Sequence, residues 1–170
     1  MTLEELNCLT VSDYRSELSR CCGSSLWTQR LFEYRPFKSA EELLQTAERI
    51  WWSLTEADWK EAFAHHPKIG DVENLRKKFA ATADWASNEQ AGATNTSEET
   101  LKGLAEGNRL YEEKFGYIFI VCATGKSAHE MLQLLQRRMR NLPEEEIRIA
   151  AGEQAKIIQL RLKKLLNIEH

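Results

Sequence analysis

SAEELLQTAERIWWSLTEADWKEAFAHHPKIGD, residues 39–71, holds two helix starts and one forced stop. Ser39 can cap a helix, Glu42 can complete a capping box, and Leu43, Leu44, Ala47, Ile50 and Trp51 then recur at helical spacing. A helix to about Leu54 is predicted. Thr55 repeats the device with Asp58, and Ala57, Phe63 and Ala64 give the second helix its apolar surface. This second helix must stop at about His66, because the residue before a proline is pushed out of the α region and Pro67 follows.

The same signals continue outward along the chain. Asp71 can cap a helix that buries Leu75 and Phe79, and Thr96 opens another box ahead of Leu101, Leu104, Tyr111 and Phe115, with Gly116 as the stop. Ser127 starts a helix whose apolar face is Met131, Leu132, Leu135 and Met139. Pro143 suits a first helical position, and the run from Glu144 to about Leu166 predicts the longest helix. The expected fold is all-α, a single-domain bundle of about seven to nine helices over residues 1–170, with one short extended segment near Phe119. Ala81 to Ser97, rich in Ala, Thr, Ser, Asn and Gly, reads as a loose helix with a mobile loop.

The extended segment is GYIFIVCATG, Gly116 to Gly125, an apolar β-branched run between glycines. No second strand of similar quality exists, so its backbone groups would have to pair with loops, water or a ligand presenting an amide edge, such as a ureido or hydantoin-like ring. The alternative is a buried helix, which periodicity does not exclude.

Composition bounds the function. A chain of 170 residues can bury one core without metal or disulfide support. A net charge of −3, with bases interspersed among acids, argues against a nucleic-acid partner. No apolar run approaches the ~20 residues of a membrane span, and MTLEELNCLT carries acids where a signal peptide carries bases. A cytoplasmic protein with no membrane partner is expected. Cys8, Cys21, Cys22 and Cys122 form no CxxC pair and read as reduced thiols.

Chemistry concentrates in HHPKIGD, His65 to Asp71. A histidine held at a helix end, near the negative pole of the dipole, can keep or release a proton near neutral pH. It can equally be a capping residue with its ring on the surface. A second anomaly is Arg161, which falls inside the apolar stripe of the last helix formed by Ile147, Ala150, Ala151, Gln154, Ile157, Ile158, Leu162 and Leu165. Such a charge needs a partner. That partner is an internal acid, or water reached over an apolar stem, or a carboxylate or carbonyl-rich ring gripped by the planar fork of donors. A metal-dependent hydrolase built on His65, His66 and His129 lacks HExxH or similar spacing, so no metal is expected. A helical interaction module that docks through the last helix is the non-enzymatic alternative.

HHPKIGD, the EQAG at Glu89 to Gly92, FGYIFIVCA from Phe115 and the closing IIQLRLKKLL resemble the OHCU decarboxylases, which process 2-oxo-4-hydroxy-4-carboxy-5-ureidoimidazoline in urate breakdown. The resemblance runs from about Phe32 to Leu166. It implies a cofactor-free, all-helical enzyme that releases CO2 from this small-molecule substrate and yields (S)-allantoin, commonly as a homodimer. Its catalytic His, directly before the proline, is His66 here, its acid is Glu89, and its late arginine is Arg161. The family's serine three residues before the glutamate is replaced by Ala86, with Ser87 one step later. The implied substrate contacts are these positions, Gln90, Pro67, and main-chain groups of Phe119, Ile120, Val121, Cys122 and Ala123. Thr124 stands where some relatives have Arg.

Overall fold

Hydroxyl side chains start most of the helices in the computed structural model, which describes residues 1–67, 72–77 and 94–168. Thr2, Thr10, Ser24, Ser39, Thr55 and Ser127 each accept the amide N–H three residues on, opening α1 (Leu3–Cys8), α2 (Val11–Cys21), α3 (Ser25–Glu33), α4 (Ala40–Ser53), α5 (Glu56–Ala64) and α8 (Ala128–Arg138). Between α5 and α8 lie α6 (72–77) and α7 (Thr94–Phe115), and α9 (Pro143–Leu165) closes the chain. The described residues are all-α, with no strand among them.

Expected boundaries hold within a residue or two for α4, α5, α8 and α9. At Ser39 half of the box forms: the Glu42 carboxylate receives the Lys38 N–H instead of that of Ser39. α7 begins at Thr94, two residues before the expected Thr96. Leu75 is buried as expected, whereas Asp71, Phe79 and residues 81–93 of the loose segment lie outside the described residues.

The chain divides into two compact units, one of Met1–His66 with Ala151–His170, the other Pro67–Ala150. The first has a core of Leu6, Tyr14, Leu18, Trp27, Leu31, Leu43, Trp51, Phe63, Ile158 and Leu162, all essentially closed to solvent. Its indoles also set helix positions. Trp27 Nε1 donates to the Ala47 carbonyl at 3.0 Å, Trp51 Nε1 to Ala151 at 2.9 Å and Trp59 Nε1 to Trp51 at 2.9 Å. Each buried N–H thereby finds an acceptor, and α3, α5 and α9 are each registered against α4.

In the second unit α7 packs closely on α8 because α7 presents glycines at the contact. A Cβ on Gly107 would sit 2.5 Å from a Leu135 methyl, and one on Gly103 would sit 3.1 Å from Leu132. Beside this seam lies a buried polar network. The Arg138 Nε donates to Glu146 Oε1 at 2.6 Å, and the Tyr111 hydroxyl donates to the same oxygen at 2.7 Å. Asn141 Nδ2 donates to Glu146 Oε2 at 3.1 Å. Glu146 is wholly enclosed, and these three donors offset the cost of burying its charge.

Gly116 to Gly125, expected as an extended segment without a sheet partner or as a buried helix, is not helical and pairs with no strand among the described residues. Gly116 leaves α7 with φ +83°, its N–H on the Glu112 carbonyl at 2.8 Å, and Gly125 turns the chain again with φ +75°. Between them the carbonyls are met by cations and a turn instead of a neighbouring strand. Ile120 O accepts from Arg138 Nη1 at 2.6 Å, Cys122 O from Lys126 Nζ at 2.8 Å, and Ala123 O from the Lys126 N–H at 3.1 Å.

Candidate active site

α5 carries the histidine pair to its position. The Thr55–Asp58 capping box fixes its start, and its last amides close on themselves: the His65 N–H reaches the Ala62 and Phe63 carbonyls, and the His66 N–H reaches Phe63 O at 3.2 Å. His66 stands outside the helix, as Pro67 requires. The turn is wedged against Gly23, where an added Cβ would fall 2.5 Å from both Cβ and Cγ of His65. Only a residue without a side chain permits that approach.

The two rings then differ. His65 is exposed, while His66 is half-buried and brings Nε2 to 2.5 Å from Oε1 of Gln154 on α9. Gln154 is 0 % exposed, and its amide nitrogen has no hydrogen-bond partner among the described residues. A buried donor in that state is unusual in folded proteins.

Arg161 lies on the same helix, seven residues beyond Gln154. Seven residues are within about 20° of two full turns and span ~10.5 Å, so both belong to one face of α9. The guanidinium is half-buried and points Nη1 at the carbonyls of Cys21 and Arg20, at 3.4 and 3.5 Å. These are the final carbonyls of α2, where a cation answers the negative end of the helix. No carboxylate among the described residues pairs with it. The two contacts are long and engage one of its nitrogens, so most of the donor fork is not used in these bonds. Burial pushes the neighbouring Cys21 thiol up to about 11 against the opposing influence of Arg161, and pushes Cys22 up to about 12.

Of the other residues expected at the site, Pro67 is exposed, Phe119, Ile120 and Cys122 are buried, and Val121 and Ala123 are half-buried. The carbonyl contacts of this stretch leave donors over. No backbone acceptor among the described residues receives the N–H groups of Phe119, Ile120 or Val121. Glu89, Gln90, Ala86 and Ser87 lie outside the described residues. His129 is exposed on α8. Among the described residues no group of three His, Cys, Asp or Glu side chains could hold a metal ion, and no helix is long and apolar enough to cross a membrane.

Gly23, Arg138 and Glu146 were not anticipated from the sequence, and Gln154 was read only as a member of a stripe. Its signal was present: an amide between Ala151 and Ile158, one helical repeat before the anomalous arginine.

Residues 7–163 match the family model described as OHCU decarboxylase. The chain is 41% identical over 150 residues to the uric acid degradation bifunctional protein TTL of Arabidopsis thaliana, a match that covers 86% of this chain and 45% of that protein. It thus spans less than half the length of that relative. Over 173 residues it is 27% identical to the 2-oxo-4-hydroxy-4-carboxy-5-ureidoimidazoline decarboxylase of Amia calva, covering 98% of this chain and 95% of the other. Among solved structures, that of an OHCU decarboxylase in the presence of (S)-allantoin superposes with a TM-score of 0.71 at 37% identity, covering 89% of this chain and 97% of that one.

Proposed function

The chain belongs to the OHCU decarboxylase family, and from that premise we propose that it converts 2-oxo-4-hydroxy-4-carboxy-5-ureidoimidazoline to (S)-allantoin and CO2 in urate breakdown, with His66 as proton donor. The observation that carries this reading is the family match over residues 7–163, which includes the one imidazole held by a proline at a helix end.

The chemistry needs no electron sink from outside the substrate. When the C–CO2 bond breaks, its electron pair stays on the ring carbon and is delocalised through the adjacent C=N bond. A proton must then arrive on one face to give a single enantiomer. His66 supplies it, a contribution of about 10²–10⁴ in rate for a positioned acid. Glu89 orients the imidazole or accepts from ureido nitrogens, and Arg161 grips carbonyl or carboxylate oxygens with its planar donors. Pro67, Gln90, the Ala86–Ser87 pair and the main chain from Phe119 to Ala123 complete the proposed substrate contacts. The N–H groups of Phe119, Ile120 and Val121 suit oxygen acceptors on the substrate. Since the family match runs through both compact units, residues 1–170 are proposed to act as one decarboxylase domain, working in the cytoplasm as a homodimer without a cofactor.

The test is to generate the urate-derived intermediate freshly and follow the appearance of optically active allantoin with and without the protein. Equal rates of formation and a racemic product in both would overturn the reading.

A further inference from the structure

The contact between Gln154 and His66 decides where the imidazole keeps a proton. A carboxamide oxygen only accepts, so a ring nitrogen 2.5 Å from it must carry hydrogen. With the amide turned around, two nitrogens would meet at a separation already short for N–H···O contacts, which run ~2.7–3.2 Å. The amide is sealed from solvent, so water does not substitute for it. Its nitrogen meanwhile lacks an acceptor among the described residues. Folding alone gives no reason for such a group in an apolar stripe, where Met or Leu would fill the space and leave no donor unsatisfied.

We propose that Gln154 is a positioning residue for His66: its amide oxygen holds hydrogen on Nε2 and commits the neutral ring to the Nε2–H tautomer. The transferable proton is then the one on Nδ1. In the imidazolium, Nε2–H stays tied to Gln154 while Nδ1–H is handed to the ureido-bearing carbon of the enol that CO2 loss leaves, the hydroxyl gives up its proton to become the ring carbonyl, and the neutral Nε2–H form of the imidazole is left behind. The use made of that proton rests on the decarboxylase reading; its location on the ring does not.

The tautomer is read directly from full-length protein labelled with 15N-histidine, with the His66 signals assigned by their loss in His66→Asn. Wild type is expected to show the Nε2–H form. Gln154→Met, similar in volume but without the acceptor, is expected to lose that preference and to lower kcat roughly tenfold with KM little changed, and Gln154→Glu, which keeps an acceptor, restores the Nε2–H form. Wild-type His66 in the Nδ1–H form, an unaltered tautomer ratio in Gln154→Met, or an unaltered kcat despite an altered ratio overturns the proposal. If Gln154→Met does not fold, the wild-type and Gln154→Glu spectra decide it, an Nδ1–H form in either counting against the proposal. Because the spectra need no turnover, a protein that forms no allantoin would end the decarboxylase reading and leave the tautomer result standing.

Discussion

His65 and His66 are neighbours in sequence with opposite surroundings, one ring laid against Gly23 and the other directed at a buried amide. Their substitutions should separate accordingly. His66→Asn is expected to abolish the acceleration of allantoin formation with unchanged helical circular dichroism, and His65→Ala to retain most of it, measured side by side on fresh intermediate. Equal losses would contradict the assignment. Burial also sets the cost at Glu146, which is enclosed with Arg138, Tyr111 and Asn141. Glu146→Ala leaves a buried guanidinium without its counter-charge, an expected loss of about 3–5 kcal/mol in urea unfolding. The sequence displayed His66 and Arg161 because each breaks a local pattern, a proline stop or an apolar stripe. Glu146 was hidden among Glu144 and Glu145, and only the tertiary partners Tyr111 and Arg138 distinguish it.

Helix starts were readable because capping is local. Ser39, Thr55 and Ser127 lie within four residues of everything they bond, so their roles needed no knowledge of the fold. Thr55→Ala should cost about 1 kcal/mol, seen as a lower thermal midpoint. Long-range effects were not readable in this way. Gly116 to Gly125 carries the composition of a strand, but its Ile120 carbonyl is taken by Arg138 of α8 and its Cys122 carbonyl by Lys126 just beyond the segment, partners that strand propensity does not encode. The α7–α8 seam is similar: Gly103 and Gly107 look like weak points in a helix until Leu132 and Leu135 are placed against them. Gly107→Ala raises helix propensity yet should destabilise the protein by about 1–3 kcal/mol through overpacking. A more stable Gly107→Ala protein in chemical denaturation would show that the leucine gives way.

At the scale of the molecule, size, charge balance and periodicity sufficed for an all-helical chain, while its division into two compact units did not appear in them. The buried thiols give this scale its pH dependence. Unfolded Cys21 and Cys22 would ionise near 9.0, whereas the folded chain holds their protons to about 11 and about 12. A raised folded value means that their contribution is fully present below pH 9 and is lost as pH rises through 11 to 12. The urea midpoint is therefore expected to fall above pH 9, and to fall less steeply in a Cys21→Ala, Cys22→Ala double variant. Identical slopes would remove the thiols from the explanation.

The Trp51 indole that donates to the Ala151 carbonyl also makes the protein optically informative. Four of the five tryptophans, Trp27, Trp51, Trp52 and Trp59, fall within Met1–His66, and Trp51 grips α9 three residues ahead of Gln154. The part of the emission red shift that disappears in a Trp51→Phe variant would accordingly mark the release of the helix bearing Gln154 and Arg161, while far-UV ellipticity follows every helix. Two curves that separate would reveal that this helix can leave its seat while other helices persist.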